Sequence, residues 1–301
     1  MRDLQNLLIR FEEDLQRLDA FLTDPMADLN RVQSLDHWES TVYEREYLPR
    51  LALAGMSDNP DLVRQNTADL HIHTQWSDGD DLDRVLEQAL VMRLDVIAIT
   101  DHDAIEGAFE ARRRIHERRW PLAVIPGVEV SSADGHIGAL FVMKTFPIGL
   151  GAEETVRLIH EAGGIAVAHH PYVPRSIERI LRIKLGCGDL IRTIPFDAVE
   201  CTNAVPGRGV NYNIATIEAI RKHNIVIAVT GSSDAHHAAF VGKGKTYFAG
   251  NQGVESLRLA LLHGFTKGAE GYWKTQEKIT YYRHLMTSIA RNRITRFGSV
   301  N

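Results

Sequence analysis

Residues 68–103 read ADLHIHTQWSDGDDLDRVLEQALVMRLDVIAITDHD, and their patterns run strand, helix, strand. ADLHIHT (68–74) and DVIAIT (95–100) are short β-rich runs, and LDRVLEQALVMRL (82–94) between them has helical patterning. Apolar runs without alternation fit strands buried on both faces. Strands that alternate with helices imply parallel β-structure covered by helices. The same alternation continues down the chain. LAVIPGVEV (122–130), HIGALFV (136–142), GIAVAHH (164–170), FDAVECT (196–202) and IVIAVTG (225–231) read as further strands. IEGAFEARRRIHERR (105–119), AEETVRLIHEAG (152–163) and NYNIATIEAIRKHN (211–224) read as further helices. One connection differs: SSADG (131–135) is too short for a crossover helix and reads as a hairpin.

The flanks have another character. Leu4, Leu8, Phe11, Leu15, Leu18 and Leu22 step alternately by four and three, the spacing of an amphipathic helix with one apolar seam. Asp24-Pro25 ends it, and residues 28–54 read as helical again. Residues 1–66 are therefore expected to be a helical extension, 67–265 the main domain and 266–301 a basic tail ending in a helix. The extension is net −6, the middle −4 and the tail +5, within a total of −5 for 301 residues. The seam at 4–22 suits a homo-oligomer contact or packing within the chain equally well.

Composition excludes several classes. Hydrophobic residues at 44% and charged residues at 24% lie near the globular norm. No apolar run is long enough to span a bilayer, and the N-terminus lacks a signal-peptide core. Two cysteines, Cys187 and Cys201, make no disulfide framework and fit a reducing cytoplasm. The negative balance argues against a general nucleic-acid surface.

Histidine is the informative residue. Of 14, eight fall between His71 and His237 in short clusters with Asp or Glu, nearly all at the C-terminal ends of expected strands. In α/β barrels that edge carries the site. His71 and His73 flank Ile72, and residues two apart on a strand face the same side. Asp78 follows in a turn. Asp101-His102-Asp103 closes the second strand, though Asp101 or Asp103 could equally be a helix cap. Glu129 stands inside an apolar strand and needs a cationic partner, a metal or an arginine. His136 opens the next strand. Of His169 and His170, strand geometry lets only one face the mouth. Asp234 and His236 repeat the i, i+2 relation, and His237 then points outward to the surface. Jointly, about nine N/O ligands and no cysteine suit two or three ions such as Zn, Mn or Fe. Clustered divalent ions bring the pKa of bound water from 15.7 to around 7 and neutralise anionic oxygens, which phosphoester hydrolysis needs most.

The ordered set ADLHIHTQWSDG, AITDHD, PGVEVSS, GHIGALFV, VAHHP and GSSDAH resembles the PHP (polymerase and histidinol phosphatase) superfamily over about residues 67–249. The resemblance implies a distorted (β/α)7 barrel with two or three divalent ions. Carried over by position, His71, His73, Glu129 and Asp234 hold one ion. Asp78, His102 and His236 hold a second, and His136 and His170 a third, with Glu129 bridging. His169 stands where the family has a small residue and is set aside in favour of His170. Asp101 and Asp103 are expected behind the ligands and, with His236, make the catalytic set. The implied partner is a small phosphoester, with no membrane. Arg175, Arg208 and Lys243, with Lys245 near by, are candidate phosphate binders, because a guanidinium offers phosphate a two-pronged fork. Glu200 and Asn203 in VECTN are expected to line the pocket.

Only 33 residues separate His136 from His170, so the long helical cap of several nucleotide-acting members is missing. The extension and the tail are the candidates to wall the pocket instead. Hydrolysis of carbamates or carboxyl esters, an amidohydrolase barrel, a nuclease or proofreading module and a non-catalytic scaffold are the competing readings. The complete ligand set argues against the scaffold. The Asp-His at the second strand and Asp-x-His at the last argue against the amidohydrolase.

Overall fold

The structure, a computed structural model, describes residues 65–205, 209–249 and 253–270. The helical readings of the N-terminal extension and of the chain beyond 270, and Arg208, lie outside the described residues.

Strand β1 (Gln65–Asp69) is followed by helix α1 (Leu82–Val91), β2 (Val96–Ile99), α2 (Glu106–Arg118) and β3 (Ala123–Ser132). Then come β4 (Gly135–Leu140), α3 (Ala152–Glu161), β5 (Ile165–Ala168), α4 (Arg175–Leu181), β6 (Ala198–Asn203), α5 (Gly209–Lys222) and β7 (Ala228–Ser232). All seven expected strands and the four expected helices are present. Two strands were not expected, β8 (Gly244–Ala249) and β9 (Thr266–Glu270), with α6 (Val254–His263) between them. Among the described residues the sheet therefore holds nine strands, two more than the seven read from the sequence. The first residues of the expected tail, Thr266–Glu270, pair with β8 as a strand.

The strands form one sheet in the order β7-β6-β5-β4-β3-β2-β1-β8-β9. β1, β2 and β3 are parallel, as are β5, β6 and β7. β4 is antiparallel to both its neighbours, as the SSADG hairpin requires. β8 is antiparallel to β1 and to β9. The sheet curls until β9 lies along β7, where Thr266 Oγ1 donates to the Val229 carbonyl at 2.7 Å. Glycines permit this closure: a Cβ on Gly268 would stand 2.8 Å from the Thr230 carbonyl oxygen, and one on Gly231 2.7 Å from the Ala269 nitrogen.

The period of two sorts the core into two layers. On β2, Ile97 and Ile99 pack outward against Val85, Leu86 and Ala89 of α1 and Ala108 and Ala111 of α2. Val96 and Ala98 point inward with Leu70, Ile125, Leu140, Val167 and Phe248. Leu257, Ala260 and Leu261 of α6 join this inner layer and close the end of the barrel away from the strand C-termini. α1 starts cleanly because Asp81 caps the Asp83 and Arg84 amides while Gln75 Oε1 accepts from Leu82 N. Cys187 and Cys201 are buried free thiols. Among the described residues no helix is long and apolar enough to cross a membrane.

Candidate metal centre

Residues 70–74 continue β1 as an extended segment. Ile72 accepts from Thr100 N and pairs with Ala235, and His73 N donates to the Ala235 carbonyl. Ile72 therefore enters the outer core, while His71 and His73 turn to the barrel mouth, both fully buried. The next turn is held by Asp101. Its Oδ1 accepts from Thr74 N at 2.6 Å and Ser77 Oγ at 2.7 Å, and its Oδ2 from Thr74 Oγ1 at 2.6 Å. That turn presents Asp78. His102 pairs with Glu129 across β2 and β3, and Asp103, in the left-handed region at φ 54°, accepts from Ser131 N at 2.8 Å. The β3–β4 hairpin brings His136 beside Glu129. His170 follows β5, and Asp234 and His236 follow β7.

Glu129 is the hub, only 1% exposed. Its Oε1 lies 3.2 Å from His71 Nε2, 3.2 Å from His136 Nδ1 and 3.4 Å from His170 Nε2. Its Oε2 lies 3.3 Å from His73 Nε2 and 3.2 Å from His102 Nδ1. Asp234 Oδ1 stands 3.4 Å from both His71 Nε2 and His73 Nε2, and Asp78 Oδ1 3.4 Å from His236 Nε2. Ligands about 2.0–2.1 Å from a tetrahedral ion are about 3.3 Å apart, so these spacings suit atoms converging on cations better than hydrogen bonds. His71 Nε2, both His73 nitrogens, Asp78 Oδ1 and His170 Nδ1 are buried without a hydrogen-bond partner, and a divalent ion would satisfy the donors that face the cluster. Among the described residues four overlapping groups can each hold an ion: His73, Asp78, His102 and His236; His71, Glu129 and His170; His71, His73 and Asp234; His102, Glu129 and His136. Together they contain all nine sequence-derived ligands.

The arrangement differs from the expected partition in two ways. His136 and His170 fall in separate groups, each of which includes Glu129. His169 is not excluded from the mouth: its Nδ1 reaches Glu129 Oε1 at 2.9 Å and its ring stacks on His71 with centroids 3.8 Å apart. The cause is His170, whose φ of 27° breaks strand alternation and turns both rings inward. A Cβ on Gly138 would meet His169 Nε2 at 2.2 Å, so glycine makes the room for this ring. Asp101 and Asp103 stand behind the ligands as expected, touching backbone and hydroxyl donors rather than the cluster. His236 is in the cluster, with Nδ1 3.0 Å from the Asp234 carbonyl oxygen.

Glu200 has a larger role than pocket lining. It is 1% exposed, its Oε1 meets His71 Nδ1 at 3.1 Å and Ser232 Oγ, and its Oε2 accepts from His170 N at 2.8 Å and Asn203 Nδ2 at 3.0 Å. It thereby orients the His71 ring so that Nε2 faces the cluster. Glu200→Gln should weaken metal affinity about 10–100-fold with little loss of fold, measured by competition with a chromogenic chelator. Undiminished affinity would count against this role.

Arg175 opens α4 and is exposed. Lys243 is half-buried, and Lys245 Nζ turns to the Met92 carbonyl at the end of α1, 3.5 Å away.

Electrostatics follow burial against charge. Desolvation alone would depress His71, but Glu129, Asp234 and Glu200 outweigh it and hold the imidazole well above its ordinary value. His73 is likewise raised to about 10 by Asp234 and Glu129 against its burial. Burial pushes His102 down to about 3 and His169 to about 4. Burial opposes ionisation of Glu129, yet His71, His136 and His102 keep it well below the usual carboxylate range. Since His71 and His73 bind protons more tightly than free imidazoles, a cation entering must displace them. Metal loading at pH 7 should release protons and weaken as pH falls. Calorimetry in two buffers of different ionisation heat checks this, and equal apparent heats would refute it.

The comparisons agree with this geometry. A family model described as PHP domain matches residues 69–280. An uncharacterised protein of Methanocaldococcus jannaschii is 34% identical over 167 residues, 52% of this chain and 92% of that protein. A phosphoribosyl 1,2-cyclic phosphate 1,2-diphosphodiesterase of Eggerthella lenta is 40% identical over 87 residues, 29% of this chain and 31% of that enzyme. The 5'-3' exoribonuclease Rnm of Escherichia coli is 33% identical over 126 residues, 39% of this chain and 43% of that enzyme. The chain thus spans less than half the length of these two enzymes. Among solved structures, a two-domain Bacteroides vulgatus protein containing a predicted PHP-like metal-dependent phosphoesterase superposes with TM-score 0.53 at 16% identity, over 74% of this chain and 71% of that one. PsfC of Pseudomonas syringae superposes with TM-score 0.53 at 21% identity, over 77% of this chain and 99% of that one.

Proposed function

The chain belongs to the PHP domain family, and on that premise we propose that it is a metal-dependent phosphoesterase that hydrolyses a small phosphorylated metabolite or nucleotide. The observation that carries this reading is the convergence of five imidazole nitrogens within 3.2–3.4 Å of one buried carboxylate, Glu129. The residues that would hold divalent ions are His71, His73, Asp78, His102, Glu129, His136, His170, Asp234 and His236. When bound, such ions supply Lewis acidity toward water and toward the phosphoryl oxygens. Manganese, zinc and iron all suit this imidazole–carboxylate set.

The protein's own groups do the rest. Glu200 fixes the His71 ring, and Asp101 fixes the turn that carries Asp78. His102, Asp78 and His236 are 26%, 32% and 29% exposed, so the cluster opens on their side and the phosphoester enters there. Arg175, five residues beyond His170, supplies a fork for the substrate's phosphate, with Arg208 and Lys243 as further cations. Arg175→Ala should raise KM about tenfold with kcat little changed.

A second reading is favoured by the exoribonuclease relative: the phosphoester is one in a nucleic-acid strand. The expectation against nucleic acid rested on net charge, and that argument lacks force for a strand end, whose phosphates meet cations locally. One panel separates the readings. Metal content of the purified protein is measured. Activity with manganese is then assayed on p-nitrophenyl phosphate, its bis-ester, aryl carbamates, nucleoside monophosphates and 5'-phosphorylated single-stranded RNA. Turnover of the monoester or nucleotides supports the first reading, and turnover of RNA alone the second. Turnover of carbamates alone would overturn both.

A further inference from the structure

The outer wall carries a second surface, independent of the metal centre. Between α2 and the start of β3 lies an open groove of about 940 Å³, lined by Phe109, Arg112, His116, Arg119, Trp120 and Val254 among others. Phe109 is 36% exposed. Most cations of this helix are already engaged. Arg113 pairs with Glu110 and Glu117, and Arg114 and Arg118 pair with Asp83. Arg112 and Arg119 make no ion pair among the described residues, so the groove joins an apolar floor to two uncommitted guanidinium groups.

We propose that residues 11–19 of this same chain, FEEDLQRLD, dock in this groove. Three observations favour that occupant. First, charge: residues 1–64 carry 13 Asp/Glu against 7 Lys/Arg, whereas residues 271–301 carry 1 against 6 and would be repelled. Second, pattern and size: at helical spacing Phe11, Leu15 and Leu18 form one stripe, with Glu12, Asp14 and Asp19 on its flanks and Arg17 away from it. About 940 Å³ accommodates roughly two turns of helix, the length of that stripe. Third, place: Asp95 N donates to the Thr67 carbonyl and Ala123 N to the Asp95 carbonyl. Ala123, a groove residue, is therefore two strand spacings, about 10 Å, from Thr67, two residues inside β1. Residues 20–64 span that distance easily.

The docked segment lies at the barrel end opposite the metal ligands, so it does not wall the pocket. Apolar contact between Phe11, Leu15, Leu18 and the Phe109–Trp120 floor holds it, and the acids meet Arg112 and Arg119.

The test is limited proteolysis of the full-length chain, with cleavage inside residues 1–64 followed by mass spectrometry. Arg112→Glu/Arg119→Glu should speed that cleavage about tenfold, as the loss of two or three exposed charge pairs permits. Glu12→Arg/Asp14→Arg/Asp19→Arg should do the same. The combined charge-swapped protein should return to within about twofold of the parent. Metal content and turnover should be unchanged in all three. No acceleration, or no recovery in the combined variant, overturns the proposal. Protection that depends on protein concentration, with a dimer by light scattering, would instead assign the groove to a second copy. Loss of binding to a fluorescent single-stranded oligonucleotide with cleavage unchanged would assign it to nucleic acid.

Discussion

Replacing Glu129 by alanine should abolish activity, by at least about 10³-fold, and leave the protein with little of its metal. The reason is geometric. Glu129 belongs to two of the four groups able to hold an ion, and its two oxygens face different imidazoles. Removing it deletes negative charge shared by His71, His73, His102, His136 and His170. The fold should survive, because the hairpin that carries Glu129 is held by backbone pairing from Gly127↔Leu140 to Ser132↔Gly135. Glu129→Gln keeps the volume and one acceptor but not the charge, so it should fall near the alanine variant. Elemental analysis with steady-state kinetics measures both quantities. A variant with full metal content and a tenth of the activity would dispose of the hub.

The second large effect falls on Asp101. Asp101→Ala removes the acceptor for three donors, two of them on fully buried Thr74 and the third on half-buried Ser77. Each orphaned donor costs about 1–3 kcal/mol, so a loss of roughly 3–5 kcal/mol is expected. The turn bearing Asp78 would loosen with it, and activity should fall about 100-fold. Asp101→Asn separates positioning from proton transfer. Its amide oxygen can still accept from Thr74 N and Ser77 Oγ, and its NH₂ can donate to Thr74 Oγ1, whose hydroxyl turns round. Most stability and activity should return, with the pH profile of kcat unchanged. If Asn is as inactive as Ala while folding normally, Asp101 has a role in proton transfer after all.

That pair of residues shows where sequence reasoning reached and where it stopped. Glu129 was legible because a lone carboxylate in PGVEV needs a cation whatever the fold. His71 and His73 were legible because a period of two is local. Asp101 was placed behind the ligands by the resemblance, but what it holds there was not legible, because an acid at the end of VIAIT looks the same whether it faces a mouth or a returning turn; only the approach of Thr74 and Ser77 decides. His169 was set aside because alternation lets only one of the pair face the mouth and the family has a small residue at its position; the left-handed backbone of His170 suspends the alternation. The orienting role of Glu200 depends on how β5, β6 and β7 register, which no neighbouring residue announces. β8 and β9 escaped notice because KGKTYFA and TKGAE are short and mix glycine and lysine among few apolar residues. Those glycines are what the tight closure against β7 requires.

The antiparallel turn of β8 also sorts the two ends of the chain. Gln65 sits opposite Ala249, whereas Glu270 sits opposite Gly244, the length of the barrel away. The chain therefore comes into the barrel at its floor and leaves it at the rim, beside the loop of Asp234 and His236. A peptide grafted after Glu270 would crowd incoming substrate, and the same peptide grafted ahead of Gln65 would leave the entrance clear.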